Sequence, residues 1–243
     1  MQVNAPTPSG LAGGVDSALA LLHEAARLAP AVFSTSFGAE DMVLLDLIRQ
    51  KRLGVGIVTV DTGRLPEATY ALMHQVHERY GPCFETLYPD PQELSALVQS
   101  NGVNGFYASV ENRKACCSVR KVKPLARALW AKRAWVTGLR AQQSETRGAL
   151  RPHEYDVAYG LEKFNPLFDW TEAQVWEYLR ANAVPYNALH DQGYPSIGCA
   201  PCTRAITQGE DIRAGRWWWE AAETKECGLH PTPRASASTG ELA

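Results

Sequence analysis

Residues 31–41 read AVFSTSFGAED. An uncharged, mostly apolar run breaks into a turn of small residues that ends on two acids. This is the pattern of a buried strand feeding a strand-to-helix turn. The next stretch, DMVLLDLIRQ at 41–50, spaces its apolar residues for a helix, and VGIVTVD at 55–61 is a second strand, rich in β-branched residues. The alternation continues outward. Helices are expected over 15–28, 67–80, near 91–100 and over 122–132, with strands at 83–89 (CFETLYP) and 134–139 (AWVTGL). Strands alternating with helices imply crossovers of one hand, and so an α/β fold: a mostly parallel twisted sheet with helices on both faces. Ligands of such sheets sit beyond the carboxyl ends of the strands. Three expected strands end in polar or glycine-rich turns: STSFGAED, VDTGR and TGLRAQQSETR.

After residue 147 the pattern loosens. An aromatic-rich helix is expected over 172–180, with Thr171 as its N-cap, then a loop, HDQGYPSIGCAPCTRAI, and a last helix over 210–223. Residues 1–14 read as a flexible N-terminus and 231–243 as a disordered tail. With no repeat and no linker, 1–230 reads as a single domain with a C-terminal elaboration and a mobile tail.

The chain has 243 residues, 24 basic and 26 acidic, for a net charge of −2. That balance argues against a broad nucleic-acid surface. No apolar run is long enough to span a membrane, and the first residues lack the pattern of a signal peptide. A cytoplasmic protein with reduced thiols is the expectation, so its six cysteines point to metal binding or catalysis before disulfides.

Cys116 and Cys117 are adjacent, and Cys199 and Cys202 form a C-x-x-C pair beside glycine. Zinc asks four sulfurs to converge on one ion, which adjacent side chains do poorly. A four-iron, four-sulfur (4Fe–4S) cube has separate corners and suits the set better. Zinc and plain structural thiols are the competing readings. Cys83, inside an apolar strand, reads as a core residue. Cys227 lies in KECGLH (225–230), on a polar tail that suits a thiol swinging between two partners, and is the candidate nucleophile. His230, three residues on, could tune that thiol or be idle.

Basic residues gather near the cysteines: Arg120 and Lys121 follow the first pair, and Arg213 and Arg216 stand three apart on the expected last helix. A solvated surface is the bland reading for any one of them; an anionic substrate would explain the cluster. SFGAED offers backbone amides at a helix start, where phosphate can bind, and VDTGR resembles loops that hold ribose or adenine, although a plain capped turn at Asp61 would look the same. GGVDSA (13–18) looks like a pyrophosphate loop, but no strand precedes it, so Asp16 and Ser17 are read as residues at a helix start.

Taken together, SFGAED, VDTGR, KACCSVRK, TGLRAQQSETR, GCAPC, GRWWWE and KECGLH resemble the assimilatory adenylyl-sulfate reductases, the iron–sulfur branch of the phosphoadenylyl-sulfate reductase family. The resemblance runs from residue 31 to 230. It implies an adenine nucleotide alpha hydrolase-like fold and a 4Fe–4S cluster on Cys116, Cys117, Cys199 and Cys202. It implies substrate contacts from Ser36, Gly38, Asp41, Asp61, Thr62, Lys121, Arg140, Arg147, Arg213, Arg216 and His230. The turn bearing Arg147 is slightly shorter than the commoner family form. The implied reaction is reduction of adenosine 5′-phosphosulfate to sulfite and AMP in sulfate assimilation and cysteine biosynthesis. Cys227 forms a thiosulfonate, Lys121 assists, and thioredoxin or a similar dithiol supplies the electrons. The alternatives are the 3′-phosphorylated substrate, an RNA-thiolating nucleotide-activating enzyme, and a zinc-held binding module. No nucleic acid or membrane partner is expected, and a homo-oligomer stays open.

Overall fold

The computed structural model describes residues 9–143, 150–221 and 225. Six strands form one sheet: β1 (Ala31–Thr35), β2 (Val55–Val60), β3 (Glu85–Leu87), β4 (Ala134–Val136), β5 (His153–Asp156) and β6 (Leu161–Phe164), in the order β3-β2-β1-β4-β6-β5. All neighbours are parallel except β5 with β6, an antiparallel hairpin.

Residues alternate between two cores, as strand pleating requires. Phe33, Ile57 and Val136 enter the larger core with α1 (Ser9–Arg27), α2 (Ala39–Gln50), α3 (Glu67–Tyr80) and α7 (Glu172–Ala181). Val32, Val58 and Trp135 enter the smaller one with Leu125 and Leu129 of α6 (Lys123–Leu129). The expected mostly parallel sheet with helices on both faces is therefore present. Among the described residues no helix is long and apolar enough to cross a membrane.

The chain runs outward from β1 through β2 to β3, then returns to place β4 on the other side of β1. The strand order thus reverses between β1 and β4, and a crevice opens at their carboxyl ends.

Several local expectations change. α1 starts at Ser9, so GGVDSA lies within a helix and not at its start. Gly14 packs closely there: a Cβ would stand 3.3 Å from Trp170, whose Nε1 donates to the Gly14 carbonyl. Besides α4 (Pro91–Asn101), a helix α5 (Val110–Cys117) carries the first cysteine pair and runs through a π turn, Ser118–Val122, into α6. The β5–β6 hairpin was not anticipated; its strands are four residues each and largely polar. The helix expected over 210–223 is absent from its described residues, 210–221, which form turns. Thr203 and Arg216 form an antiparallel bridge, and the Arg204 carbonyl occupies the space a Cβ on Gly215 would need. This pairing draws the segment out of helical form. Thr171 does cap α7, through a full capping box with Gln174.

Candidate active site

The crevice is a cleft of about 620 Å³ with two chemically distinct ends. One end is built where β1 turns into α2. The Phe37 amide donates to Thr35 Oγ1, and Phe37 takes a left-handed φ of 59°, so the chain reverses tightly. Ser36 then donates from both its amide (2.6 Å) and its hydroxyl (2.9 Å) to Asp41 Oδ2. The other Asp41 oxygen fills the space a Cβ on Gly138 would need, so only glycine lets β4's turn approach. Burial pushes Asp41 up to about 6, against the lowering effect of the Ser36 hydrogen bonds. Arg140 is buried, donating from Nε to Glu40 Oε1 at 2.7 Å and from Nη1 to the Trp170 carbonyl. Gly38 caps α2 without a side chain, but the acids in the first turn make this helix start unfavourable for phosphate. Its carboxylates and carbonyls suit hydrogen-bond donors, which a base or ribose carries.

The other end holds thiols. Cys116 and Cys117 close α5, Cys199 caps the short helix Ala200–Cys202, and all four pack in one cluster with Phe106, Trp217 and Trp219. None is in a disulfide. Burial pushes Cys202 up to about 12, helped by the charges of Cys199, Cys117 and Cys116. Burial also raises Cys116, against the pull of Arg120. Thr62 Oγ1 lies 3.2 Å from Cys199 Sγ, its carbonyl accepts from Arg120 Nη1 at 2.7 Å, and the Ala200 amide donates to the Arg64 carbonyl. The turn after β2 therefore grips the C-x-x-C loop directly.

The expected contact residues separate accordingly. Ser36, Gly38, Asp41, Thr62, Lys121, Arg140, Arg213 and Arg216 line the cleft. Lys121 has no hydrogen bond or ion pair among the described residues, which leaves a cation facing the cavity. Arg216 stacks 4.7 Å from the Trp217 ring centre, and its Nε is buried with no hydrogen-bond partner among the described residues. Arg213 and Arg216 reach the cleft from turns, not from one helix face. Arg213 Nη2 donates to the Lys225 carbonyl at 3.0 Å, two positions before Cys227. Asp61 is not part of the lining; its carboxylate accepts from Gly63 N and Tyr70 Oη, the capped turn anticipated as the plain reading. Arg147, Cys227 and His230 lie outside the described residues. Cys83 is half-buried and packs on the larger core.

Sequence reading missed three residues. Arg113, 0% exposed, donates to both Glu220 carboxylate oxygens, at 2.9 and 2.7 Å, and stacks on Trp217. Its only sequence signal is that it precedes Cys117 by one helical turn. Arg64 donates to Val103 and Asn104 across the mouth of the thiol end. His190 is among the residues lining the cleft, and its Nε2 is buried with no hydrogen-bond partner among the described residues.

The donor set can be tested against the metal readings. Among the described residues, no three His, Cys, Asp or Glu side chains are grouped so as to hold one metal ion. Four gathered thiols, Cys202 buried and the other three half-buried, nevertheless suit positive charge between them, since the charges of Cys199, Cys117 and Cys116 oppose the ionisation of Cys202. A polynuclear iron–sulfur centre, with a separate corner for each sulfur, fits such a set better than a single tetrahedral zinc.

Residues 30–205 match the model of the phosphoadenosine phosphosulfate reductase domain. Over 215 residues the chain is 58% identical to an adenosine 5′-phosphosulfate reductase of Allochromatium vinosum, covering 88% of this chain and 84% of that one. It is 54% identical over 200 residues to the enzyme of the same name from Burkholderia cepacia, covering 82% of this chain and 80% of that one. A crystal structure of phosphoadenylyl-sulfate reductase from Candida auris, in a phosphate complex, superposes with a TM-score of 0.67 at 28% identity, over 83% of this chain and 98% of that chain. An FMN adenylyltransferase of Candida glabrata, with a TM-score of 0.53 at 15% identity over 95% of this chain and 82% of that one, shares the fold alone, the adenine nucleotide alpha hydrolase-like one.

Proposed function

The chain belongs to the phosphoadenosine phosphosulfate reductase family, with 58% identity to an adenosine 5′-phosphosulfate reductase, and from that membership we propose that it reduces adenosine 5′-phosphosulfate to sulfite and AMP. The observation that carries the reading is the two-ended cleft: hydrogen-bond acceptors at the sheet's carboxyl edge, and cations with thiols at the far end. A nucleoside suits the first end and a phosphosulfate the second.

The Cys227 thiolate attacks the sulfur of the substrate, the S–O bond to AMP breaks, and AMP leaves with the electron pair. Lys121, Arg213 and Arg216 balance the charge of the phosphosulfate and of the departing phosphate. The product on the enzyme is a Cys227 thiosulfonate. A thiolate of thioredoxin or a similar dithiol attacks the Cys227 sulfur, and sulfite leaves with the S–S electron pair. The second thiol of the dithiol then resolves the mixed disulfide and frees Cys227. Two electrons pass from dithiol to sulfur. Cys227 must therefore alternate between a pose closed on substrate and one open to the partner. Cys116, Cys117, Cys199 and Cys202 would hold a 4Fe–4S cluster, which would supply structure and local charge beside Lys121 and no electrons to substrate.

Incubating the protein with adenosine 5′-phosphosulfate and no reductant should add one sulfonate to the C-terminal peptide, seen as a mass shift on Cys227. Sulfite should appear only after a dithiol is added. Cys227→Ser should keep nucleotide binding and lose turnover. A label on Cys83, or turnover by Cys227→Ser, would refute the mechanism. The 3′-phosphorylated substrate is the second reading; it lacks the ribose 3′-hydroxyl donor that the acceptor-rich end of the cleft favours.

A further inference from the structure

The chain leaves the sheet at Thr137, just past β4, and comes back through Arg151, just ahead of β5. The turn after β4 forms one wall of the cleft, with Thr137, Gly138, Arg140 and Gln143 in its lining. On one side this turn rests on the start of α2: Gly138 lies against Asp41, and Arg140 pairs with Glu40. On the other it rests on residues 165–170. The Ala141 amide donates to the Phe168 carbonyl at 2.9 Å, and Arg140 Nη1 to the Trp170 carbonyl at 3.2 Å.

Asn165 adds a side chain to that support. It is 0% exposed and is not in the cleft lining. Its Oδ1 accepts from Thr137 Oγ1, and its Nδ2 donates to the Arg151 carbonyl at 2.7 Å. Its backbone amide donates to the Pro152 carbonyl at 2.8 Å, and its carbonyl accepts from Phe168 N at 3.0 Å. Phe164 and Leu167, on either side in sequence, are buried in the larger core and fix its place. One buried carboxamide therefore clasps the point where the chain departs from the sheet to the point where it returns. Both halves of the group are needed, an acceptor for Thr137 and a donor for Arg151. An apolar residue here would strand a hydroxyl and a carbonyl in the interior. The fit beyond the clasp has no slack, because no side chain would fit between Gly138 and Asp41. A shift of the turn at Thr137 is thus passed to the cleft wall.

We propose that Asn165 is a positioning residue for nucleotide binding: without touching the ligand, it holds residues 137–143 in the place that seats Gly138 on Asp41 and sets the shape of the nucleoside end of the cleft. This rests on the reading of the substrate as adenosine 5′-phosphosulfate.

Calorimetric titration with AMP, hydrogen exchange and steady-state kinetics on the full-length protein test it. Asn165→Ala should weaken AMP by about 3- to 10-fold, the range expected for the lost hydrogen bonds. The KM for adenosine 5′-phosphosulfate should rise by a similar factor with kcat nearly unchanged, since the variant leaves the reacting groups in place. Exchange over residues 137–143 should quicken while that over β2 does not. Thr137→Val cuts one tie and keeps the side chain's shape, so it decides the matter if Asn165→Ala fails to fold; it should act in the same direction. In the double variant the two effects should fall short of their sum, because both break the same hydrogen bond. A lower melting temperature with AMP affinity, KM and exchange over 137–143 unchanged would overturn the inference, as would fully additive effects. Sulfite formation by the wild type alongside unaffected variants sinks this inference alone. A wild type that neither binds AMP nor forms sulfite sinks the reductase reading with it.

Discussion

Asp41 stands in the first turn of α2 with its carboxylate folded back on Ser36 and against Gly138. Burial raises its pKa from 3.8 to about 6, so the folded chain holds this proton more tightly than the unfolded chain does. The stabilisation is complete below about pH 4 and is lost as pH rises through about 6. The loss amounts to about 3 kcal/mol, from the size of the shift. Asp41→Asn keeps an acceptor for Ser36 and removes the titration. Urea unfolding between about pH 4 and pH 7.5 should show the wild type losing about 3 kcal/mol relative to the variant. Parallel stability curves for the two proteins would show that the buried carboxyl does not titrate in this range.

At the scale of elements, one buried carboxylate joins three helices. Asp46 of α2 is 0% exposed and accepts from Tyr80 Oη of α3, Tyr178 Oη of α7 and Gln50 Nε2, each at 2.7 Å. Arg79 Nη2 stands 3.9 Å away and reaches on to the carbonyls of Asn182 and Ala183, beyond the end of α7. The helices bury apolar faces against the sheet, and this network fixes their mutual register. Asp46→Ala would strand the buried donors and should cost about 3 kcal/mol or more. Tyr178→Phe removes one hydrogen bond and should cost about 1 kcal/mol. Urea midpoints measure both, with unchanged slopes expected. Near-equal losses in the two variants would mean that Tyr178 alone carries the coupling. Neither residue lines the cleft, so turnover by the folded variants should stay near wild type.

Across the whole molecule, the thiol end ties distant parts of the chain together. Cys116 and Cys117 come from the helix beyond β3, while Cys199 and Cys202 come from the loops beyond α7. With a centre bound among them, the two regions would become one body. Anaerobically purified protein should carry about four iron and four acid-labile sulfide per chain. Cys199→Ser should lose most of both, together with the brown colour. Its melting temperature should fall, because a bound centre stabilises only the folded form. Zinc in equal amount to protein, or an unaltered iron content in Cys199→Ser, would contradict the assignment.

The central strands were legible in the sequence because each is buried on both faces and so reads as a continuous apolar run. The cysteine spacing and the turns after β1, β2 and β4 were legible for a related reason: glycine, short polar side chains and thiols stand out against the apolar strands they follow. What stayed illegible depends on contacts between remote segments. The β5–β6 hairpin is short and polar, and only its place at the sheet edge makes it strand. Residues 210–221 spell an acceptable helix, yet the Thr203–Arg216 bridge and the Arg204 carbonyl pressed on Gly215 hold them in turns. Arg140 reads as a free cation until Glu40 is found beside it, 100 positions away. Arg113 has no signal beyond its place one turn before Cys117, and His190 has none, because a charge's partner and a nitrogen's lack of one are properties of the folded neighbourhood. Local pattern determined which segments were strand, helix and reactive turn; tertiary packing decided which polar groups are paired and which face the cleft, since pairing requires proximity in space that spacing along the chain does not encode.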